Sequence, residues 1–302
     1  MLPYYTRAWI GLPETESLPR MLWRHNRPMI LRVRCPAKIN LFLSVGAKDS
    51  RNYHPIRTVF QAIGLSDTLV IRNGIERHVV HCDDPSVPPD NTVSKALRLL
   101  SEVLPLPPLH VTIEKQIPAE SGLGGGSSNG AGMLRAAQRI AGMSIPFGEL
   151  KGIAEAIGMD VPFFLVGGQA KAEGYGERLV PLPDPLANWI VVARPPIGCS
   201  TAVAYQKLDA FVRGWREFSY DDQLYNDFER VAPSESLGLI QQLLGSGAKD
   251  ALLSGSGSAV FGRFDSQEAA QASAARLESD DMAKVWISRY LTRAESLQIE
   301  VA

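Results

Sequence analysis

A glycine- and serine-rich segment, PAESGLGGGSSN at residues 118–129, lies between a predicted strand at 110–115 and a predicted helix at 130–141. Glycines let backbone N–H groups approach an anion closely, and a helix N-terminus adds unsatisfied N–H groups and a favourable dipole. The hydroxyls of Ser127 and Ser128 can bond a phosphate or a magnesium ion. A serine cap after a flexible turn would explain part of this pattern, but the run of three glycines and two serines exceeds what a cap needs. The segment therefore predicts a phosphate-binding loop.

The familiar phosphate-binding motifs do not match this segment. A Walker A loop requires Gly-Lys-Ser/Thr, and the segment contains no lysine. The dinucleotide pattern GxGxxG fails because Ser127 stands where the third glycine belongs. The HRD and DFG motifs of protein kinases are also absent from the chain. The positive charge that balances a bound phosphate must therefore come from another part of the sequence.

A second group of residues, His78, His81 and Cys82, has the side-chain types of a metal site. We expect them on a strand, where residues three apart face opposite sides of the sheet. The spacing therefore does not favour metal binding.

The elements that would position these residues are a mixture of helices and strands. Alternation of Leu31, Val33 and Cys35 with two arginines predicts a half-buried strand, and a second strand over 39–45 would place Leu41, Leu43 and Val45 on one face. The remaining predicted strands cover 58–63, 68–71, 110–115, 189–193 (a central strand), 259–264 and 284–289. The predicted helices cover 94–103, 130–141, 147–157, 222–232, 237–244 and 267–278, and a new element opens at 160–162.

This order lacks a regular βαβ rhythm and predicts an α+β fold. The length of 302 residues allows two domains, and the proline-rich stretch at 181–185 is a plausible joint between them. The regular pattern begins at Met29, so we expect residues 1–28 to form a poorly ordered, dispensable extension, although Trp9 and Trp23 could dock onto the body.

Composition restricts the function. With 45% hydrophobic and 21% charged residues and a net charge of −1, the chain reads as globular and shows no basic block for nucleic acid or an anionic membrane. The three cysteines are odd in number and far apart, which argues against a disulfide framework and fits a reducing cytoplasm. We therefore expect a cytoplasmic protein without a signal peptide or membrane span.

Three segments together resemble the GHMP small-molecule kinases: PAKINL at 36–41, GLGGGSS at 122–128 and SGSGS at 254–258. Within that superfamily the chain is most similar to the branch that phosphorylates a cytidine-diphosphate-linked alcohol in the non-mevalonate isoprenoid pathway. The discriminating pieces are Tyr53-His54, RTVFQAI at 57–63, Asp90-Asn91, GMDVPFF at 158–164 and NDFE at 226–229.

The resemblance implies a two-domain GHMP-kinase fold that binds nucleotide and substrate in the cleft between an N-terminal ATP-binding domain at 29–180 and a C-terminal domain at 181–302. It implies ATP and Mg²⁺ as cofactors, a small cytidine-diphosphate substrate, and a monomer or weak homodimer.

The resemblance also implies roles for individual residues. Asp160 would accept the proton of the attacking hydroxyl, and Lys38 would orient that carboxylate and stabilise phosphoryl charge. Taken alone, Lys38 could be an exposed strand-end lysine and Asp160 a helix N-cap. The other implied contacts fall into two groups. The nucleotide would be bound by Asn91, Pro118, Ala119, Glu120, Ser121, Gly122, Leu123, Gly124, Gly125, Gly126, Ser127 and Ser128. The substrate would be bound by Asn40, Tyr53, His54, Thr201 and Tyr205.

Three positions depart from the family pattern. Where the family reads Asp-Gly-Tyr-His, this chain has Arg51-Asn52 before Tyr53-His54, and asparagine tolerates the positive φ that a glycine would supply. Gly130 replaces an alanine in a helix, at a cost of up to about 1 kcal/mol. Met159 also stands where alanine is common.

Two alternatives stay open. The chain could be another GHMP kinase, acting on mevalonate or homoserine. It could also be a catalytically silent ligand sensor with this fold, although such a protein would be expected to lose Lys38 or Asp160.

Overall fold

A computed structural model describes residues 29–73, 76–186, 188–211, 214–216, 224–279 and 283–301. The predicted extension at 1–28 lies outside these ranges, as does part of the predicted helix 222–232. Among the described helices, none combines the length and the apolar character that a membrane span requires.

The larger of two sheets is built around two long strands, β1 (Ile30–Val45) and β2 (Ile56–Asn73), which pair antiparallel. The other strands of this sheet are β3 (Val79–Cys82), β4 (Leu109–Glu114), β5 (Gln169–Glu173), β6 (Arg178–Pro181), β8 (Tyr225–Asn226) and β12 (Ile299–Val301). Its main strand order is β12-β1-β2-β4-β3; β5 and β6 extend from β2, and β8 pairs parallel with β1. The smaller sheet is antiparallel, in the order β11 (Lys284–Arg289), β7 (Trp189–Arg194), β10 (Val260–Phe264), β9 (Asp250–Leu253). Its internal β7 confirms the predicted central strand.

Helices cover the sheets. The helices are α1 (Thr92–Ser101), α2 (Gly125–Ala141), α3 (Phe147–Ile157), α4 (Phe163–Val166), α5 (Thr201–Leu208), α6 (Ser234–Gly245), α7 (Gln267–Ser279) and α8 (Arg293–Ser296). The first four pack on the larger sheet in one hydrophobic cluster, and α5, α6 and α7 share a second cluster with the smaller sheet. A third cluster joins Ile39 and Ile63 of the larger sheet to Val192 and Phe261 of the smaller one. The mixed content confirms the α+β prediction. The boundary at 180/181 stays a prediction: every strand of the smaller sheet follows it, yet β8 and β12 return to the larger sheet.

The two strands predicted over 31–35 and 39–45 are one strand, β1. Its register shifts between Pro36 and Ala37 and again between Asn40 and Phe42. A proline lacks the N–H that a regular ladder uses, and a bulge accommodates this gap. The second shift also changes which face each residue occupies. Leu41 packs in the cluster that joins the sheets, whereas Leu43 and Val45 pack against the smaller sheet's helices, so the prediction that all three share a face was wrong.

The predicted helix over 222–232 is replaced, in its described part, by a short strand and a 3-10 helix. Residues Tyr225–Asn226 form β8, and Asp227–Val231 form a 3-10 helix. The Asn226 side chain donates to the carbonyls of Leu253 and Gly255 at 2.8 Å, and Asp227 accepts from the backbone N–H of Val45 at 2.8 Å. These bonds commit both side chains to other elements, which overrides local helical periodicity.

Helix α2 begins at Gly125, earlier than the predicted start at residue 130. Residues 125–129 of the glycine segment therefore belong to the start of the helix, and residues 118–124 form the loop that precedes it. Further along α2, a Cβ on Gly130 would lie 3.3 Å from Thr92 Cβ and 3.3 Å from Ile157 Cγ2. The missing side chain at this departure from the family pattern allows α1 and α3 to approach α2 closely.

Candidate active site

A cleft of about 950 Å³ runs between the first turn of α2, the loop that follows β1 and helix α5. Nearly all predicted site residues line it. They are Lys38, Asn40, Tyr53, His54, Asn91, Pro118, Ala119, Glu120, Ser121, Gly122, Gly124, Gly125, Gly126, Ser127, Asp160, Thr201 and Tyr205.

Two predicted nucleotide contacts do not line the cleft. Leu123 is fully buried in the cluster between the sheets, and its carbonyl accepts from the Lys38 backbone N–H at 2.9 Å. Ser128 is also fully buried, and its hydroxyl has no hydrogen-bond partner among the described residues. Successive residues at the start of a helix point in different directions, so only part of a contiguous motif can face one ligand.

Gly124 is the N-cap of α2 and has φ = 73°, in the left-handed region. A Cβ there would lie 3.0 Å from Phe164 Cζ and 3.1 Å from Lys38 Cγ. No side chain caps the helix, so the N–H groups of its first turn remain available to an anion in the cleft.

The second glycine-serine segment, 254–258, packs against the first. A Cβ on Gly122 would lie 2.0 Å from the Ser254 carbonyl oxygen, so the two backbones can pack this closely only because residue 122 is glycine. The Ser254 hydroxyl donates to the Gly122 carbonyl at 3.1 Å. Ser256 lies 3.0 Å from the Thr201 hydroxyl, which ties the segment to the start of α5.

The lysine charge that the sequence motif lacked is present next to the first turn of α2. Lys115 lines the cleft, and its Nζ lies 3.2 Å from the position that a Cβ on Gly125 would take. Its side chain is 9% exposed and pairs with the fully buried Asp67 at 2.5 Å. Sequence reasoning missed Lys115. Its available signal was a lysine at the end of the strand that enters the glycine segment.

Lys38 lies at the floor of the cleft. Its Nζ donates to Asn40 Oδ1 and to the Gly122 carbonyl, both at 2.7 Å, and lies 3.8 Å from Asp160 Oδ2. Its side chain is 5% exposed, which excludes the alternative of an exposed strand-end lysine. Burial lowers the pKa of Lys38, and the neighbouring Asp160 carboxylate partly opposes that shift.

Asp160 precedes α4 and faces the cleft with a side chain that is 32% exposed. The N-cap of α4 is Pro162, and no side chain makes a capping hydrogen bond there. Asp160 therefore does not cap α4, which was the alternative role that the sequence allowed for it. Val161 and Phe163, fully buried after it, anchor the backbone that carries the carboxylate.

Aromatic rings line the opposite end of the cleft. His54 stacks on Tyr205 with ring centroids 5.3 Å apart and an interplanar angle of 20°, whereas Tyr53 is 67% exposed. His54 Nδ1 lies 2.7 Å from the Gly46 carbonyl, and Nε2 lies 2.8 Å from Asp209 Oδ1. Burial raises the pKa of Tyr205, which keeps its phenol protonated. The aromatic surface and the fixed imidazole suit a planar base.

Two of the predicted contacts also have structural roles. Asn40 donates through Nδ2 to the Thr58 hydroxyl at 2.7 Å, and this bond orients its Oδ1 toward Lys38. Asn91 is the N-cap of α1, where its side chain accepts from the backbone N–H groups of Val93 and Ser94. Both residues still border the cleft.

His78 and Cys82 belong to no metal cluster in the described part of the chain. His78 Nδ1 accepts from the Leu109 backbone N–H at 3.1 Å, and its Nε2 lies 3.3 Å from the Ser101 hydroxyl. Both ring nitrogens are therefore engaged in local structure.

The fold and the site define a GHMP-type kinase, an enzyme that transfers phosphate from ATP to a small molecule. Residues 91–168 match the family model for the GHMP kinases N terminal domain, and residues 218–282 match that for the GHMP kinases C terminal. A homoserine kinase from Cytophaga hutchinsonii shares the fold, with a TM-score of 0.64 at 19% identity over 90% of this chain and 97% of that one.

Similarity to one kind of GHMP kinase is higher. A 4-diphosphocytidyl-2-C-methyl-D-erythritol kinase from Geobacter sp. strain M21 is 35% identical over 82% of this chain and 94% of that protein. One from Porphyromonas gingivalis is 38% identical over 76% of this chain and 90% of that protein. The crystal structure of a 4-(cytidine 5'-diphospho)-2C-methyl-D-erythritol kinase superposes with a TM-score of 0.75 at 30% identity, covering 86% of this chain and 98% of that one. The chain belongs to the 4-diphosphocytidyl-2-C-methyl-D-erythritol kinase family.

Proposed function

We propose that this protein transfers the γ-phosphoryl group of ATP to the 2-hydroxyl of 4-diphosphocytidyl-2-C-methyl-D-erythritol. Membership of the family supports the substrate. The observation that carries the site is the position of Lys38 and Asp160, 3.8 Å apart at the floor of a cleft, with the uncapped start of α2 on one side and stacked rings on the other.

The nucleotide phosphates bind at the first turn of α2. Their charge is balanced by the free N–H groups of that turn and by Lys115. The close fit of Gly122 and Gly124 against neighbouring atoms keeps this backbone near the phosphates.

Magnesium fits the donor set of this site. Ser127, which carries a hydroxyl, lines the cleft, while the described residues include no cluster of three or more His, Cys, Asp or Glu side chains placed to bind a metal ion. Mg²⁺ in nucleotide sites commonly takes one or two protein ligands and completes its coordination with phosphate oxygens and water. Ser127 would hold the ion, which when bound neutralises charge on the phosphates.

Asp160 accepts the proton of the substrate hydroxyl as that oxygen attacks the γ-phosphorus of ATP. The bond from the γ-phosphorus to the bridging oxygen breaks, and ADP leaves with that oxygen. Lys38 orients the carboxylate and stabilises charge on the transferring group. Because the two groups converge on one point, they position the hydroxyl as well as activate it.

The cytidine end of the substrate binds among Tyr53, His54 and Tyr205. An exposed tyrosine offers a face for stacking, and the His54 ring, fixed by Gly46 and Asp209, holds Tyr205 in place beside it. Thr201, at the start of α5, also lines the cleft and offers a hydroxyl to the substrate.

A substrate panel tests the proposal. The full chain is mixed with ATP and Mg²⁺ and with the cytidylyl alcohol, mevalonate or homoserine in turn, and ADP release is measured. We expect turnover with the cytidylyl alcohol alone. Turnover of mevalonate or homoserine instead would assign the chain to another GHMP activity, and no ADP release with any acceptor would indicate a ligand sensor.

A further inference from the structure

Asp49 organises the loop 46–55, which carries Tyr53 and His54. Its Oδ1 accepts from the backbone N–H of Arg51 at 2.9 Å and from that of Tyr53 at 3.3 Å. Asn52 has φ = 64°, so asparagine adopts the left-handed conformation expected from the sequence. Asp49 therefore provides the carboxylate of this turn in a chain where Arg51 replaces the family's aspartate.

The second oxygen of Asp49 reaches a different element. Asp49 Oδ2 accepts a hydrogen bond from the hydroxyl of Tyr175, in the turn 174–177 between β5 and β6. The pKa values of the two groups move apart, because this bond lowers that of Asp49 and raises that of Tyr175. Both stay in the protonation states that the bond requires at neutral pH.

Tyr175 lies at the boundary between the two ends of the cleft. Its ring meets Tyr53 edge-on at 5.8 Å, and it lines the cleft with Asp160. The next residue, Gly176, lies beside Asp160, since a Cβ built on it would be 3.6 Å from Asp160 Oδ1. The turn that holds Tyr175 therefore lies beside the proposed catalytic carboxylate, while its phenol holds the loop of the base-binding end.

We propose that Tyr175 is a positioning residue that determines affinity for the cytidylyl substrate. Its bond to Asp49 fixes the loop 46–55 relative to Asp160 before substrate arrives. An ordered loop loses less conformational entropy on binding, so the bond strengthens substrate binding without adding a contact. This inference rests on the proposed function for the identity of the ligand.

The test compares Tyr175→Phe, which removes only the hydroxyl, with Tyr225→Phe. Tyr225 is a matched control because its hydroxyl also donates to a carboxylate, that of Asp227, and Tyr225 does not line the cleft. In Tyr175→Phe we expect KM for the cytidylyl substrate to rise about three- to tenfold, the range of a charge-assisted hydrogen bond at a partly exposed site. The turnover number and KM for ATP should stay within about twofold in both variants.

Substitutions of Asp49 sharpen the result. Asp49→Ala should raise the substrate KM at least as much as Tyr175→Phe, and Asp49→Asn should recover part of the loss because its amide can still bond both partners. An unchanged substrate KM in Tyr175→Phe, or an equal loss in KM for ATP and in turnover, would overturn the proposal.

Hydrogen exchange separates this inference from the proposed function. In the free protein, the amides of Arg51 and Tyr53 should exchange faster in Tyr175→Phe than in the unaltered chain and in Tyr225→Phe. Unaltered exchange would overturn the proposed link between phenol and loop even if the enzyme phosphorylates the cytidylyl substrate. If the unaltered chain does not use that substrate, the proposed function fails, and faster exchange would still support the link.

Discussion

The two walls of the cleft differ in structure: one consists mainly of buried backbone and the other mainly of exposed side chains. The nucleotide wall, residues 115–128, consists of backbone held by buried groups: Lys115 is 9% exposed, and Gly122 packs directly against Ser254. The substrate wall, formed by the loop 46–55 and the turn 174–177, presents side chains near solvent, with Tyr53 67% exposed. Lys38 and Asp160 lie where the walls meet.

This difference predicts how each wall responds to substitution. Close-packed backbone leaves no room for a side chain, so a side chain added at the close-packed glycines of the nucleotide wall should abolish nucleotide binding. Exposed hydrogen bonds are individually weak, so changes in the substrate wall should alter affinity by small factors. Substitution of Lys38 or Asp160, where the two walls meet, should lower the turnover number rather than the affinity for ATP.

The largest effect is expected at Gly124. Gly124→Val should reduce nucleotide binding below detection by calorimetry, because a β-branched side chain cannot readily adopt φ = 73° and would meet Phe164 and Lys38. Binding of the cytidylyl substrate, measured on the same folded variant, should be retained. Unchanged ATP affinity would mean that the phosphates bind elsewhere. The difference that we infer between the two walls would then be wrong.

The second-largest effect is expected at Lys38 and Asp160, where the two walls meet. Asp160→Asn or Lys38→Met should lower the turnover number by at least about 100-fold, while ATP affinity stays close to that of the unaltered chain. The double variant should be no slower than the slower single variant, because residues that act as one unit are not additive. Near-normal turnover in either single variant would remove that residue from the mechanism.

A smaller effect is expected at Lys115. Lys115→Met should raise KM for ATP about tenfold, through loss of one charge near the phosphates, with little change in KM for the cytidylyl substrate. The same variant leaves Asp67 buried without its lysine, so Lys115→Met combined with Asp67→Asn serves as the control for stability. If the double variant restores ATP affinity together with the melting temperature, Lys115 has only a structural role.

The smallest effect concerns Asn52 in the substrate wall. Asn52→Gly should leave KM for the cytidylyl substrate within about twofold, because glycine adopts the same left-handed conformation. Asn52→Val should raise it several-fold, at a backbone cost of about 1–2 kcal/mol. Equal behaviour of the two variants would show that the turn does not constrain the base-binding end.

The parts of the site that the sequence predicts are those whose residue types are dictated by backbone geometry. The glycine segment and its helix could be read directly, because positive φ and close approach leave few alternatives to glycine. Lys115 could not be found in this way, since its position depends on how the strand before the segment meets α2. Leu123 and Ser128 belong to the prediction because the motif is contiguous, yet Leu123, before the N-cap of α2, and Ser128, in its first turn, are both buried in the core.

The elements of the fold also divide into those that the local sequence predicts and those that depend on contacts between distant segments. Helix α3 and strand β11 match their predicted bounds because local periodicity determines them. The bulges of β1 and the strand at Tyr225–Asn226 depend on pairing between distant segments, which local pattern does not contain. The bond between Asp49 and Tyr175 likewise joins residues that are adjacent only in the folded chain.

The most direct test of the central claim is identification of the product formed when one mixture offers the full chain ATP, Mg²⁺ and equal amounts of the cytidylyl alcohol, mevalonate and homoserine. We predict a single new phosphate monoester, on the 2-hydroxyl of 4-diphosphocytidyl-2-C-methyl-D-erythritol, identified by mass and by phosphorus NMR. The same mixture with Asp160→Asn should contain at least about 100-fold less of it at equal time. A phosphorylated mevalonate or homoserine, or undiminished product with Asp160→Asn, would contradict the account.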